Sequence, residues 1–450
     1  MKFKPYGKYK DSGIKWLGEV PEHWDVSKLR YVFSFGKGLT ITKANLQDKG
    51  IPCVNYGEIH SKYGFEVDAS KHDLKYVDES YLISDRSSFL SMGDFIFADT
   101  SEDLEGAGNF THVSSQTKLF AGYHTVIARQ VGEQSFRFLA YLIDSETFRT
   151  QIRLAVKGVK VFSITQAILR ASLVWLPKVS EQQAIANFLD RETTRIDSLI
   201  KEKENFISLL KEKRQALISH AVTKGLDPTV KMKDSGVEWL GGVPEHWDVT
   251  SMKYIVELGP KKENIKGNLK CSFVPMKKLR TDSILLDEHQ IVADVEDGYT
   301  FFKDEDILMA KVTPCFENKN IAVAKKLTNK IGFGSSEIYV FRMIKKNSNR
   351  YLYYRLQEDK FMSIAKSSMT GTAGLKRVPA EMINNFTIAV PSTDEQKIIA
   401  NSLDKKTKKI DSLVKETKTS IELLKEHRTA LISAAVTGKI DVRNFEKEVA

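Results

Sequence analysis

A chain of 450 residues, 42% of them hydrophobic and 28% charged, is long enough for two to four domains with real cores. No apolar run approaches the ~18–20 residues that span a bilayer. The opening Met1-Lys2-Phe3-Lys4-Pro5 lacks the apolar stretch of a secretory signal, so a cytoplasmic protein is expected. The net charge of +10 favours polyanionic partners, because neutralising phosphates drives non-specific nucleic-acid binding. Cys53, Cys271 and Cys315 lie far apart, with no C-x-x-C and no histidines at metal-ligand spacing, which argues against a disulfide framework or a structural zinc.

In chain order, the first distinctive block is DSGIKWLGEVPEHWDV, Asp11 to Val26. It returns as DSGVEWLGGVPEHWDV, Asp234 to Val249, with three of sixteen positions changed. Trp16, Pro21, His23 and Trp24 reappear as Trp239, Pro244, His246 and Trp247. The carboxylates beside His23 suggest acid–base chemistry. Verbatim duplication between tryptophans argues instead for a structural part.

The following stretches, about 30–172 and 253–385, show little obvious identity. Each reads as mixed α/β with short strands, at 93–98 and 123–128 and again at 305–310 and 337–342. Helices are expected at 136–153 and 349–364.

A second block then repeats. EQQAIANFLDRETTRIDSLI starts at Glu181 and EQKIIANSLDKKTKKIDSLV at Glu395. Ser180 and Asp394 are expected as N-caps, and Gly225 and Gly438 as stops. Apolar residues recur at coiled-coil-like steps: Ile185, Leu189, Ile196, Leu199, Phe206, Leu210 and Leu217, then Ile399, Leu403, Ile410, Leu413, Leu424 and Leu431. Polar residues interrupt the stripe at Glu192 and Lys203, and at Lys406 and Thr417. Two helices of ~40 residues, ~60 Å each, are expected to pack antiparallel through these positions. The alternative is that each docks on its own domain.

The expected fold is therefore α/β (mixed), with an internal pseudo-twofold repeat. Two domains of short strands and helices, 1–175 and 227–389, alternate with helical spacers at 176–226 and 390–450.

Catalytic signatures are absent: no P-loop, no G-x-G-x-x-G, no Asn/Asp-Pro-Pro of amino-methyltransferases, no H-E-x-x-H and no G-x-S-x-G. The loops instead gather basic, hydroxyl and glycine residues, which suit phosphates and base edges. Lys261, Lys262, Lys266, Lys270, Lys277, Lys278 and Arg280 crowd one region. Lys311 and Thr313 follow a strand, with Lys319 and Asn320 close behind. Late in each divergent stretch come Lys157, Gly158 and Lys160, and Thr370, Gly371, Thr372, Lys376 and Arg377. Lys37, Thr100, Ser101 and Ser163 complete the DNA-contact candidates. Around Gly158 the loop lacks the small, polar character of Thr370-Gly371-Thr372.

The whole pattern resembles the specificity subunit of type I restriction–modification systems. The resemblance rests on SGIKWLGEVPEHW and SGVEWLGGVPEHW, on GDFIFADTSEDLEGAGN and EDILMAKVTPCFENKNIAVA, and on the two E-Q helical blocks. It implies two target-recognition domains held apart by antiparallel helices, reading a split, asymmetric double-stranded DNA site. It implies no catalysis and no cofactor of the chain's own. Two modification subunits would methylate adenine with S-adenosylmethionine, and two restriction subunits would use ATP and magnesium to translocate and cut. Half-sites on one duplex face lie ~34 Å apart, so a ~60 Å helix pair is a ruler of the right scale. The other readings are a structural coiled-coil adaptor and a self-contained methyltransferase or nuclease, the latter opposed by the absent motifs.

Overall fold

The computed structural model describes residues 4–263, 265–344, 346–372 and 374–445. They form two units, one drawn from Met1–Glu202 with Thr419–Ala450, the other from Lys203–Lys418.

In the first unit a five-stranded sheet runs in the spatial order Phe33–Lys37, Thr125–Gln130, Phe95–Ala98, Phe110–Val113, Phe65–Val67. Only its last pair is parallel. A four-stranded sheet, in the order Lys75–Val77, Ile51–Val54, Leu119–Ala121, Phe89–Leu90, packs behind it. Strand geometry points alternate side chains to opposite faces. Phe95 and Phe97 therefore join the core under the helix Phe136–Asp144, while Ile96 and Ala98 join the core between the sheets. A strand covered on both faces must be apolar throughout, which explains the run Phe-Ile-Phe-Ala.

The second unit repeats the plan. Its sheets are Val256–Leu258, Ile338–Met343, Ile307–Ala310, Ile321–Val323 and His289–Ile291, Lys270–Val274, Ile331–Gly334, Thr300–Lys303. Ile307 and Met309 face the helical core, and Leu308 and Ala310 the inter-sheet core. Where the first unit has its fifth strand, the second carries the hairpin Leu279–Arg280 with Ser283–Ile284.

Each expected helix of the divergent stretches is two helices. Phe136–Asp144 is followed by Glu146–Ala155, and Asn349–Arg355 by Asp359–Ser367. The breaks are capped by side chains: Ser145 accepts from the Phe148 amide, and Glu358 from the Lys360 and Phe361 amides. A cap satisfies orphan amides and starts a new helix.

The long helices span Val179–Lys224 and Thr393–Val436, 46 and 44 residues, or about 65–70 Å. They begin a little earlier than expected. Ser392 rather than Asp394 accepts from the Glu395 amide, and Ser180 lies inside its helix. The antiparallel packing is present within each unit. In the first, Ile185, Leu189 and Ile196 share a core with Leu431, Ile432, Ala435 and Val436, and Arg428 donates to Asp197 at 3.0 Å. In the second, Ile399 and Leu403 share a core with Ile218, Ala221 and Val222, and Arg214 donates to Asp411 at 3.0 Å. The docking alternative holds as well, since the same cores contain Trp24, Phe138 and Tyr141, or Trp247, Tyr351 and Tyr354. Leu210 and Ile410 are buried, and Leu199, Leu217, Leu413 and Leu424 half-buried. Phe206 corrects the expected stripe. It is 45% exposed, and Ile207 takes the buried position. Ile218 and Ile421, outside the expected set, are buried too. A helix of 3.6 residues per turn drifts against a strict heptad, so the buried position moves by one residue along a stripe this long.

Candidate nucleic-acid interface

The duplicated blocks meet each other. His23 Nε2 lies 2.8 Å from Glu181 Oε2, and Trp24 Nε1 donates to Glu181 Oε1 at 3.0 Å. In the second unit His246 and Trp247 make the same contacts with Glu395, at 2.8 and 3.1 Å. The Glu of each E-Q block thus receives the His-Trp of each P-E-H-W block. The adjacent glutamine closes the next turn. Gln182 accepts from the Ser135 amide at 2.9 Å and donates to Pro177 O, as Gln396 does with Ser348 at 2.8 Å and Pro391 O. These carboxylates and imidazoles hold buried tryptophans to helix starts, a structural duty.

From this frame the strands Asp25–Lys28 and Asp248–Ser251 pair with Leu173–Leu176 and Thr387–Val390, which feed the long helices. The returning helix end seals each frame. Val436 O accepts from Trp175 Nε1 at 2.6 Å, and Val222 O from the Tyr351 hydroxyl at 3.2 Å.

At the far side of each sheet two loops come together. In the first unit the strand Phe95–Ala98 runs on into Thr100–Ser101, which pairs antiparallel with Phe162–Ser163. The Ile164 amide donates to Asp99 O at 2.8 Å. In the second unit Ile307–Ala310 runs on into Lys311-Val312-Thr313. Val312 bridges Arg377, and the Val378 amide donates to Lys311 O at 2.9 Å. Thr313 N donates to Lys376 O, and Lys376 N to the Thr313 hydroxyl oxygen, both at 3.0 Å. The same backbone join is therefore built from unlike residues.

The loops leading into these joins also correspond. A Cβ on Gly158 would stand 2.1 Å from Val161 O, and one on Gly371 would stand 2.2 Å from Leu375 O. Only glycine permits such an approach, so the loop at Gly158 makes the same backbone demand despite its different composition. Residues 157–161 are exposed, as are Thr370, Gly371, Thr372, Leu375, Lys376 and Arg377.

The candidates thus sort themselves. Thr100, Ser101 and Ser163 meet on one ribbon, with exposed Lys157 and Lys160 in the loop before it. Lys311, Thr313, Thr370, Thr372, Lys376 and Arg377 cluster at the other. Lys311 lies over the Tyr339 ring at 5.3 Å, and Arg377 pairs with Glu337, holding that carboxyl below its usual range. Lys37 is exposed at the end of an edge strand, and Lys277 is exposed on the short turn Met276–Lys278. Two expectations need correction. Lys278 is buried, with its ammonium 2.6 Å from Asp287 and 2.7 Å from Glu288. Lys319 donates to Gln215 and to Gln357 O, and burial lowers its pKa. Both cations are spent inside the fold. Ser101 is likewise buried, its hydroxyl donating to Asp103 O, and Asn320 is half-buried with its carbonyl closing the turn onto Ala310 N.

Beside the first ribbon opens a cleft of about 960 Å³, lined in part by Tyr56, His60, Asn109, His124 and Arg149. The sequence reading missed these residues, because they come from separate segments that only the fold brings together. His124 stands 3.2 Å from the Asp99 carboxyl, which also accepts from the Thr100 hydroxyl. Polar, aromatic and hydroxyl groups therefore converge where the ribbon starts.

Among the described residues no group of three His, Cys, Asp or Glu is placed to hold a metal, and no helix is long and apolar enough to cross a membrane. The three cysteines are free, and burial pushes the Cys53 thiol up to about 12.

Comparison with known proteins follows the same lines. A family model described as the type I restriction modification DNA specificity domain matches residues 21–208 and 244–423. The chain is 36% identical over 166 residues to the EcoEI specificity subunit of Escherichia coli, a match covering 36% of this chain and 28% of that one. It spans well under half the length of this relative. It is 24% identical over 443 residues to the MjaX specificity subunit of Methanocaldococcus jannaschii, covering 97% and 98% of the two. Among solved structures, a chain from a type I restriction–modification system, described for its complex assembly and conformational transition, matches with a TM-score of 0.69 at 16% identity, over 93% of this chain and 98% of that one. The HsdS subunit of Thermoanaerobacter tengcongensis matches with a TM-score of 0.54 at 15% identity, covering 94% and 98%. With two matched segments that together span most of its length, the chain belongs to the type I restriction–modification DNA specificity family.

Proposed function

We propose that this chain is the non-catalytic DNA-recognition subunit of a type I restriction–modification complex, with each unit reading one half of a split site. The observation that carries this reading is the pair of corresponding loop joins, at Thr100–Ser163 and Val312–Arg377, presented on matched frames but built from unlike residues. Like frames suit a shared mechanical duty, and unlike joins suit different base sequences. Lys157, Lys160, Lys311, Thr313, Lys376 and the hydroxyls of Thr370 and Thr372 are of the types that bond phosphates and base edges. The net charge of +10 adds a favourable electrostatic background.

In this reading the duplicated frames also dock two copies of a modification subunit, and restriction subunits join through them. Adenine methylation with S-adenosylmethionine and ATP-driven, magnesium-dependent cleavage belong to those partners, and the assembly works in the cytoplasm. Sequencing methylated adenines in a host carrying this chain and its modification subunit tests the proposal. A motif with two defined halves separated by a fixed run of unspecified bases is expected. A continuous motif, or none, contradicts it.

A further inference from the structure

Arg137 and Arg350 each tie a long helix to the sheet body it carries. Arg137 Nε donates to Asp190 at 2.7 Å, and its Nη1 to Glu66 at 2.5 Å. Arg350 Nε donates to Asp404 at 2.6 Å, and its Nη2 to Asp282 at 2.8 Å. The hydroxyls of Tyr141 and Tyr354 donate to the same helix aspartates and meet Thr193 and Thr407 at 3.1 Å. Both guanidiniums are largely buried against rings, Arg137 over Phe65 at 5.0 Å and Arg350 over Tyr353 at 4.2 Å.

The helix end of this bridge is matched in sequence, Asp190 and Thr193 against Asp404 and Thr407. The body end is not. Glu66 lies on the strand Phe65–Val67, which pairs in parallel with Phe110–Val113. Asp282 sits in the turn of the hairpin Leu279–Arg280 with Ser283–Ile284, and its amide donates to Ile321 at the start of the strand Ile321–Val323. Two unrelated local structures therefore set a carboxylate against corresponding strands, facing corresponding arginines.

We propose that Arg137 and Arg350 are positioning residues. With Glu66 and Asp282 as anchors, they fix the tilt of each recognition body on its helix and so the half-site separation that the complex accepts. This rests on the split-site reading above. Charge-assisted hydrogen bonds are short and directional, so a bridge with two carboxylate ends fixes orientation as well as contact. Cutting the body end leaves the arginine ion-paired to the long helix alone, with only ring contacts and, for Arg137, His112 on the body side, so that the body is freer to rock about its frame strands.

The test uses the chain assembled with its modification subunits, and duplexes whose spacer is shortened or lengthened by one base pair. Glu66→Gln, Arg137→Lys, Asp282→Asn and Arg350→Lys are compared by equilibrium binding, with thermal unfolding alongside. The preference for the native spacer is expected to fall on the order of fivefold in each variant, with base preferences in both half-sites kept. Combining Glu66→Gln with Arg137→Lys should add little, because both cut one bridge. Spacer preference unchanged in all four variants overturns the proposal. So does an affinity loss equal at every spacer, which marks the arginines as merely structural. A native complex that binds a continuous site contradicts the split-site reading itself.

Discussion

Glu181 and Glu395 each take the indole N–H of a fully buried tryptophan and the imidazole of the neighbouring histidine. Removing such an acceptor strands a buried donor, which costs about 1–3 kcal/mol. Glu181→Ala should lower the unfolding free energy of the first unit by that amount, read by denaturant titration of Trp24 fluorescence. An unchanged midpoint would remove the frame role. His112 offers a pH test. It is fully buried, its Nδ1 is 2.6 Å from Phe65 O, and Arg137 Nη1 approaches its Nε2 at 3.3 Å. Burial first, and the Arg137 charge after it, lower its pKa to about 4. The folded state thus binds this proton later than the unfolded state does. Between about 6.5 and about 4 the unfolded chain gains the proton and the folded one does not, so stability falls as pH falls through that window. Above it His112 is neutral in both states and contributes no pH dependence. An NMR titration should place the His112 midpoint near 4. A midpoint near 6.5 sinks this account.

At the scale of elements, the helices test where the stripe runs. Ile185 is fully buried and Phe206 45% exposed. Ile185→Ala should cost about 2–5 kcal/mol, while Phe206→Ala should change stability by no more than about 0.5 kcal/mol. Equal costs, measured by urea unfolding, would restore the heptad reading. The helices, the frame blocks and the central strands of one sheet in each unit were legible in sequence, because duplication and apolar periodicity mark them directly. The breaks at Ser145 and Glu358 were not, since a cap is only one residue in an otherwise helical pattern. A third duplicated motif also lay in plain view. Ser135, Arg137, Leu139 and Tyr141 reappear as Ser348, Arg350, Leu352 and Tyr354, displaced by 213 residues. Its four positions are spread over seven, so it escapes a search for continuous identity. The cleft residues Tyr56, His60 and His124 carry no repeat at all, and only folding gathers them. Lys278 and Lys319 look like free surface cations in sequence, and their acceptors, Glu288 and Gln215 among them, become neighbours only in the fold.

For the whole molecule, the repeat separates what is shared from what is particular. Shared parts join P-E-H-W to E-Q, return a helix end to each frame, and anchor each body through an arginine. Particular parts fill the loops at the two joins. If bases are read there, the halves of the site are separable by exchange. The direct measurement is to replace residues 30–172 with the corresponding segment of another family member and map methylated adenines in the host. The account predicts that one half-site changes while the other half-site stays as it was. A change in both halves, or in neither, contradicts it.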